Sequence, residues 1–368
     1  MQTLRPSPTH AHVVGSLIRP SFLLAARERL AAGELDATAF KATEDRAVDM
    51  AIAVQEGAGL IVVNDGEMRR GHFSAPLTET ITGVSPVTGF IHKWHTAEGT
   101  EEQTIPVAIT DRLIRTRSFV TEEYAYARGR ARARVKATLP SPTMILYLWS
   151  RDHSRGAYDD PFDLVAEAAA MLRAEIAELA RMGCTDVQID APELTFLVDP
   201  QTRAWQEEEG IPAERILTEG LDLLNSVADV PGVEFGVHLC RGNGSAERWL
   251  AKGGYDAIAK TLFARTPNID TYYLEYDDPQ LTGTFEPLAD APADKHIVLG
   301  LVSTKKPALE TVQELRSRIA EAAKFYPLEQ LSLSTQCGFA SRGDAQPMSE
   351  SDQEAKLRLV CDVAAEVW

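Results

Sequence analysis

Apolar, β-branched runs recur along the chain and alternate with stretches that carry a helical pattern of apolar residues. Continuous apolar strands that alternate with helices are typical of a parallel sheet that is covered on its outer face. The eight runs predict an α/β protein, a closed (β/α)8 TIM barrel. The predicted strands are His10–Ser16, Leu60–Glu67, Pro142–Trp149, Thr185–Asp190, Glu234–Cys240, Thr271–Asp277, His296–Ser303 and Leu331–Cys337.

The stretches between the strands predict amphipathic helices. Residues Asp163–Met182 form the clearest of them, and Gly183 provides a stop signal. The apolar stripe of this helix consists of Leu164, Ala168, Leu172, Ile176 and Leu179. Further helices are predicted over Ala42–Glu56, ending at Gly57, over Ala308–Ala323 and near Pro212–Val227.

One segment interrupts this alternation. Residues Met68–Ser141 separate the second and third predicted strands and have a β-rich part of their own, Thr104–Val120. We interpret them as a β-rich insertion after strand two, on the carboxyl face of the barrel, where loops carry function. A second long loop, Ala191–Ala213, follows strand four. The prediction is one catalytic barrel domain over residues 1–368 that includes the insertion at about 68–141.

The composition excludes several classes of function. The chain has 368 residues, with 37 Lys and Arg against 54 Asp and Glu, a formal net charge of −17. Such an acidic protein is a poor candidate for binding nucleic acid or an anionic membrane. The basic run Arg128–Lys136 alternates with Ala, Gly and Val, so we interpret it as a solvated edge of the insertion. No apolar run has the length of a membrane span.

Cysteine usage points to a reducing compartment. The four cysteines show no spacing typical of a disulfide framework, and no signal peptide precedes them. We therefore expect a cytoplasmic protein with reduced thiols. The sequence leaves open whether the chain forms a homo-oligomer.

Candidate metal ligands gather at predicted strand ends, which meet at one face of a parallel barrel. His238 and Cys240 end the fifth strand two positions apart, so both side chains point to the same side. With Glu275 from strand six and Cys337 from strand eight they make a complete tetrahedral zinc set, from strands that we expect to be adjacent. The alternatives are a core histidine, a small buried cysteine and a glutamate paired with a lysine.

These residues resemble the motifs of the cobalamin-independent methionine synthase family, specifically its C-terminal catalytic barrel. His-x-Cys with the late Cys-Gly is the most specific part, and the motifs follow the family's order over nearly the whole chain. The matching pieces are Val14-Gly15-Ser16, Asp65-Gly66-Glu67-Met68-Arg69-Arg70, Gln188-Ile189-Asp190, His238-Leu239-Cys240, Glu275 and Gln336-Cys337-Gly338-Phe339.

The resemblance implies a zinc barrel that activates a thiol for alkylation, with a methyl group passing to homocysteine to give methionine. It implies that the four candidate ligands, His238, Cys240, Glu275 and Cys337, hold the zinc. It also implies that Ser16, Glu67 and Asp190 bind the amino-acid part of homocysteine, and that Trp149 lies near the place where the family stacks its folate ring. The alkyl donor stays open between methyltetrahydrofolate, methylcobalamin carried by a partner, and another methylated or epoxide compound. Helix or loop capping is the alternative for both carboxylates, and a barrel-rim aromatic is the alternative for Trp149.

The charge of the proposed ligand set favours thiol alkylation over hydrolysis. Two thiolates and one carboxylate outweigh the charge of zinc, which keeps a bound sulfur nucleophilic, whereas water activation favours neutral histidine ligands. Glu275 is the candidate ligand that yields when the substrate sulfur arrives. The catalytic candidates are Asp190 and Glu67, and the proton for the leaving group comes from Asp190, Lys305 or water.

The sequence departs from the family in two places. The long enzymes have a histidine proton donor after strand seven, where this chain has Ser303-Thr304-Lys305-Lys306. They have Glu-Pro after the aspartate, where this chain has Ala191-Pro192-Glu193. The long enzymes also carry a second, N-terminal barrel, so the chain resembles the short, single-barrel relatives.

Three other functions are weighed against methyl transfer. Short relatives include epoxyalkane–coenzyme M transferases, whose sulfonate substrate would need arginines, and the candidates are Arg19, Arg69, Arg70 and Arg241. A metal-free barrel of the uroporphyrinogen decarboxylase type has no use for convergent soft ligands. A metal-binding protein without enzymatic activity would leave Ser16, Glu67 and Asp190 without a role.

Overall fold

The strands of the protein form one large parallel sheet and one hairpin. The computed structural model describes residues 9–96, 99–242, 249–341 and 348–368. The strands are β1 (Ala11–His12), β2 (Val62–Val63), β3 (Ile81–Thr96), β4 (Gly99–Arg115), β5 (Arg134–Pro140), β6 (Asp186–Asp190), β7 (Glu234–Leu239), β8 (Thr271–Glu275), β9 (His296–Val302) and β10 (Leu331–Thr335).

Eight of these strands form a nearly closed barrel. Their order is β1-β10-β9-β8-β7-β6-β5-β2, and every neighbouring pair is parallel. A backbone hydrogen bond of 3.0 Å from Leu17 N–H to the Gly66 carbonyl joins the loops that follow β1 and β2. The predicted TIM barrel is confirmed.

Helices cover the outer face of the sheet. The apolar stripe of the helix Pro161–Arg181 is buried, and Gly183 follows this helix with a φ of +89°, as the sequence predicts. The helices are α1 (Ser21–Ala31), α2 (Ala37–Ala58), α3 (Pro76–Glu79), α4 (Thr121–Arg130), α5 (Arg151–Ser154), α6 (Pro161–Arg181), α7 (Pro192–Phe196), α8 (Pro200–Glu208), α9 (Ala213–Arg215), α10 (Leu221–Val227), α11 (Ala259–Arg265), α12 (Pro279–Thr282), α13 (Val312–Ala322) and α14 (Glu350–Val367). Short 3-10 helices span Pro142–Leu148, Tyr255–Ala257, Glu286–Asp290 and Leu328–Gln330, and a π-helical turn spans Ile216–Gly220.

The prediction of a third strand over Pro142–Trp149 is wrong. The run Pro142–Leu148 is a 3-10 helix, and β5 precedes it. The Ser141 side chain caps this helix by accepting a hydrogen bond from Met144 N–H, and Pro142 occupies its first turn. A serine cap followed by proline starts a helix, and this signal outweighs the apolar composition of the run.

The third barrel strand, β5, begins inside the basic run Arg128–Lys136, which the sequence predicts to be a solvated edge. That interpretation is wrong for Lys136, whose side chain is buried in the barrel. The insertion therefore ends before Arg134 rather than at about residue 141. Its β-rich part is an antiparallel hairpin of β3 and β4, which α4 follows.

The remaining predicted strands are confirmed with shorter bounds, and the predicted helices shift by a few residues. The strands that carry the candidate ligands are not all adjacent, because β9 lies between β8 and β10. The loop after β6 is itself mostly helical, since it contains α7 and α8. Among the described helices, none combines the length and the apolar character that crossing a membrane requires.

Candidate active site at the carboxyl ends of the strands

A cavity of about 550 Å³ opens at the carboxyl ends of the barrel strands. Six of the eight predicted site residues line it: Ser16, Glu67, Asp190, His238, Cys240 and Cys337. Much of the remaining wall is apolar and includes Phe73, Leu77, Ile105, Val107, Met144, Ile145, Leu148, Phe196 and Leu250. The other two predicted residues, Glu275 and Trp149, do not line this cavity.

A cluster of soft ligands lies in this cavity. A ring nitrogen of His238 and the sulfur atoms of Cys240 and Cys337 lie within 4.8 Å of one another, and all three residues are buried. His238 is the penultimate residue of β7, Cys240 follows β7 by one residue, and Cys337 follows β10 by two. The structure therefore brings together three of the four predicted ligands.

The cluster offers donor atoms of the kinds that bind zinc. His238 Nδ1 lies 3.3 Å from the carbonyl oxygen of Tyr273, which can only accept, so this nitrogen donates. Nε2 is then the lone-pair nitrogen, and it is buried without a hydrogen-bond partner among the described residues. A hydrogen bond with Cys337 and burial raise the pKa of the Cys240 thiol well above its usual value. A bound cation would reverse this shift, because thiolate is the form that binds metal.

Glu275 lies beside the cluster but is not part of it. One carboxylate oxygen accepts from Lys305 Nζ at 2.7 Å, and the other accepts from the Arg241 N–H at 2.7 Å. Burial opposes ionisation, yet Lys305 and Arg241 hold the pKa of Glu275 below its usual value. The lysine pair that the sequence left open is therefore observed, and a fourth-ligand role for Glu275 stays a prediction.

Two carboxylates and a hydroxyl face the same cavity. Glu67 Oε1 accepts from the Thr138 hydroxyl at 3.0 Å, whereas Oε2 is buried with no partner among the described residues. Asp190 Oδ1 accepts from Gln188 Nε2 at 2.7 Å, and burial raises the pKa of Asp190 to about 6. Ser16 is buried at the loop after β1. An ammonium group would satisfy the unpaired carboxylate oxygen that the protein leaves here.

The backbone at Glu67 is held in an unusual conformation. Glu67 is the one non-glycine residue with positive φ, +54°, in the part of the chain that the structure describes. Its N–H donates to Asp65 Oδ1 at 3.0 Å, and its carbonyl accepts from Arg19 Nη2 at 2.8 Å. Such strained backbone persists only where the surroundings fix it, and it is frequent at functional sites.

The aromatic wall of the cavity differs from the prediction. Trp149 is 1 % exposed and packs in the hydrophobic core, while Tyr147, two residues earlier, lines the cavity. Tyr147 packs edge-on against Phe196 at 5.5 Å between ring centroids. The misassigned strand explains this difference, because a 3-10 helix presents other side chains to the cavity than a strand does.

The sequence places the insertion at the carboxyl face of the barrel, but it does not identify which insertion residues line the cavity. His72 and Phe73 line the cavity from the loop after β2, and Ile105 and Val107 line it from β4. The alternation of exposed Thr104 with half-buried Ile105 along β4 is the signal that marks this face.

The sequence Ala191-Pro192-Glu193, which differs from the Glu-Pro of the long enzymes, places its glutamate away from the cavity. Glu193 is buried in α7, where its carboxylate accepts hydrogen bonds from the hydroxyls of Ser141 and Thr143. Burial raises the pKa of Glu193 to about 7. This carboxyl group joins α7 to the 3-10 helix and does not line the cavity.

The four candidate arginines do not line the cavity either. Arg19 donates to four backbone carbonyls, Arg69 pairs with Glu44 and Asp45, and Arg70 pairs with Glu123. The Arg241 guanidinium is buried over the Tyr255 ring at 4.6 Å from its centroid. No lysine or arginine of the described residues lines the cavity.

The fold and the site together define a class: parallel α/β barrels whose strand ends carry a thiol-rich cluster able to bind a metal. The chain belongs to the cobalamin-independent methionine synthase family, since the family described as "Cobalamin-independent synthase, Catalytic domain" matches residues 8–366. The resemblance seen in the motifs is thereby confirmed.

The similarity to this chain extends over nearly all of some relatives and over less than half of others. The uncharacterized protein YxjH of Bacillus subtilis is 35% identical over 373 residues, which cover 99% of this chain and 96% of that protein. The 5-methyltetrahydropteroyltriglutamate–homocysteine methyltransferase of Candida albicans is 25% identical over 341 residues, 90% of this chain but 39% of that protein. A structure from Listeria monocytogenes, proposed to be a vitamin-B12-independent methionine synthase, has a TM-score of 0.74 and 26% identity and covers 99% of each chain.

Proposed function

We propose that the protein is a zinc-dependent alkyltransferase that moves a methyl group to the sulfur of homocysteine and so forms methionine. One observation carries this proposal: a histidine and two thiols converge in the same cavity as two buried carboxylates and a serine. Membership of the methionine synthase family supports the reaction class. In this proposal residues 1–368, including the insertion, act as one catalytic domain.

His238, Cys240 and Cys337 would hold the zinc, and Glu275 is the proposed fourth ligand. When bound, zinc keeps the substrate thiol ionised at neutral pH and thus nucleophilic. Glu275 is proposed to leave the zinc when the substrate sulfur binds. This fits its hydrogen bonds, because Lys305 Nζ and the Arg241 N–H stabilise the Glu275 carboxylate when it does not bind metal.

The amino-acid end of homocysteine is proposed to lie against Ser16, Glu67 and Asp190. The buried, unpaired Oε2 of Glu67 is a ready acceptor for the α-ammonium group. Ser16 and Asp190 face the same cavity and complete the polar part of its wall. These contacts would fix the sulfur beside the metal ligands, which lowers the entropic part of the barrier.

The methyl donor is proposed to occupy the apolar part of the cavity. The wall of aromatic and aliphatic side chains excludes water and suits a flat, mostly apolar ring such as that of methyltetrahydrofolate. Tyr147 replaces Trp149 as the aromatic residue in this wall. Asp190 is the proposed proton donor to the leaving group, since it lines the cavity whereas Lys305 does not.

The structure favours none of the alternatives. A coenzyme M substrate would need a cationic partner for its sulfonate, and the described cavity wall has no lysine or arginine. In a decarboxylase-type barrel without metal, Nε2 of His238 would be buried without a hydrogen-bond partner, which costs stability, and it would have no role in the reaction. Cytoplasmic location and the absence of nucleic-acid and membrane partners stay predictions.

The experiment that tests the proposal combines binding and turnover. Calorimetry with zinc-loaded protein should show binding of homocysteine and weaker binding of coenzyme M. Mass spectrometry should detect methionine when methyltetrahydrofolate or methylcobalamin is added, and Cys240→Ser should abolish its formation. The matched control is Cys361→Ser, a cysteine on α14 outside the cavity. Full activity in the Cys240→Ser variant would contradict the proposal.

A further inference from the structure

Lys136 is a buried cation that the proposed chemistry does not use. Its side chain extends from β5 into the barrel interior and is 5 % exposed. Nζ donates to the carbonyls of Val13 at 2.7 Å and Val14 at 3.1 Å and to Gln188 Oε1 at 2.5 Å, so all three of its donors are occupied. Among the described residues no carboxylate is in direct contact with it, and an ammonium group is costly to bury in this way. Burial accordingly lowers the pKa of Lys136 to about 8.

Two of the hydrogen bonds from Lys136 stabilise the segment just before Ser16. β1 pairs with β10 only through Ala11 and His12, and β1 and β2 stand at the two ends of the sheet order. The carbonyls of Val13 and Val14 lie beyond this short ladder, in the segment that leads to Gly15 and Ser16. The ammonium group of Lys136 therefore replaces ladder hydrogen bonds at the seam of the barrel.

The third acceptor connects Lys136 to Asp190. An ammonium group can only donate, so its contact fixes Oε1 as the acceptor of the Gln188 amide. Nε2 then faces the other way and donates to Asp190 Oδ1 at 2.7 Å. Gln188 is fully buried on β6, two residues before Asp190, so this orientation is maintained by the packing around it.

We propose that Lys136 is a positioning residue for the amino-acid end of the thiol substrate: it holds Ser16 and Asp190 at their places in the cavity from inside the barrel. This inference rests on the proposed function. Lys136 does not line the cavity itself, so its effect passes through the loop after β1 and through Gln188. The distinguishing consequence is that its loss should weaken recognition of the α-amino group and leave the metal ligands intact.

The test compares two thiols that differ only in that group: homocysteine and 4-mercaptobutanoate, which lacks the α-amino group. In Lys136→Met, the dissociation constant of homocysteine should rise about tenfold, since charge-assisted hydrogen bonds are lost around its site. The dissociation constant of 4-mercaptobutanoate and the zinc content should stay close to the wild-type values. The matched control is Lys295→Met, a buried lysine that donates to the Pro267 carbonyl outside the cavity.

A second variant keeps the test decisive if Lys136→Met does not fold. Gln188→Met has a similar shape and cuts only the connection to Asp190, so it should show the same selective loss to a smaller degree. An unchanged homocysteine affinity in the folded variants, or an equal loss for both thiols, would overturn this inference alone. If the wild-type protein binds neither thiol, the proposed function fails and the inference fails with it.

Discussion

At the scale of single residues, the candidate site depends on close approaches that only small side chains permit. Gly338 follows the cluster residue Cys337 and lies against Ser16: a Cβ placed on Gly338 would come to 2.9 Å from the Ser16 N and 3.1 Å from its carbonyl oxygen. Phe339 N–H also donates to the Ser16 carbonyl at 2.7 Å. The segment of the proposed metal ligand Cys337 and the segment of the proposed substrate-binding residue Ser16 are thus in direct contact.

Gly338→Ala should displace Ser16 and raise the dissociation constant of homocysteine by roughly tenfold, because a shift of a fraction of an ångström already misaligns the site. Calorimetry on the zinc-loaded variant measures this change. The control is Gly156→Ala, since a Cβ at Gly156 would meet nothing within 4 Å. Equal affinities for the two variants would show that the contact between Gly338 and Ser16 does not shape the site.

The sequence predicts residues at strand ends well and residues inside the barrel poorly. His238, Cys240 and Cys337 come together because each ends or follows a parallel strand, and this arrangement is visible as a spacing. Lys136 gives no such signal, since a lysine in a basic run is far more often solvated than buried. Its burial depends on carbonyls at the barrel seam, which only the closed sheet reveals.

Among the elements, the hairpin of β3 and β4 adds one wall to the cavity at the mouth of the barrel. Its residues alternate along β4, with Gln103, Ile105 and Val107 facing the cavity and Thr104 and Pro106 exposed. Because β4 turns one face toward the cavity, that face contacts whatever binds there. The insertion is therefore expected to act on the methyl donor rather than on the thiol.

Ile105→Ser should raise the KM for the methyl donor by roughly three- to tenfold, because apolar surface is lost from the wall that holds it. The dissociation constant of homocysteine should not change, since its proposed contacts come from the barrel loops. Thr104→Ser, on the opposite face of the same strand, serves as the control. A rise in the homocysteine constant instead would place the thiol against the hairpin.

The misplaced third strand shows what limits prediction at this scale. Apolar composition is similar in a buried strand and in a buried 3-10 helix, so the run after Ser141 is ambiguous by composition alone. The Ser141 side-chain cap and the proline after it favour the 3-10 helix over a strand. The other seven strands lack such a conflict between local signals, and they were predicted correctly with longer bounds.

At the scale of the whole molecule, the two ends of the barrel differ in their chemistry. The carboxyl ends of the strands carry the cluster and the cavity, whereas the amino end carries a group of histidines. His296 begins β9, and its ring centroid lies 6.0 Å from those of His10 and His12. Burial lowers the pKa of His296 to about 4 and the pKa of His12 well below its usual value.

This histidine group should make the protein less stable in mild acid. A histidine with a lowered folded pKa binds its proton more weakly than the unfolded chain does, so stability is present above about pH 6.5 and is lost as the pH falls toward 4. We expect His296 to lower the free energy of unfolding by about 1–2 kcal/mol between pH 7 and pH 5.

Urea unfolding of wild type and His296→Gln at both pH values measures this contribution, because the variant should lose that part of the pH dependence. His153→Gln, a half-buried histidine outside the group, should keep it. An identical pH dependence for wild type and His296→Gln would contradict the assignment to His296.

Elemental analysis measures directly whether His238, Cys240 and Cys337 form the proposed zinc site. We expect about one zinc per chain in the wild type and in Cys361→Ser, and loss of zinc in Cys240→Ser and in Cys337→Ser, because a site with this ligand set binds one ion and needs both thiolates. A metal-replete wild type without zinc, or full zinc in both cluster variants, would contradict it.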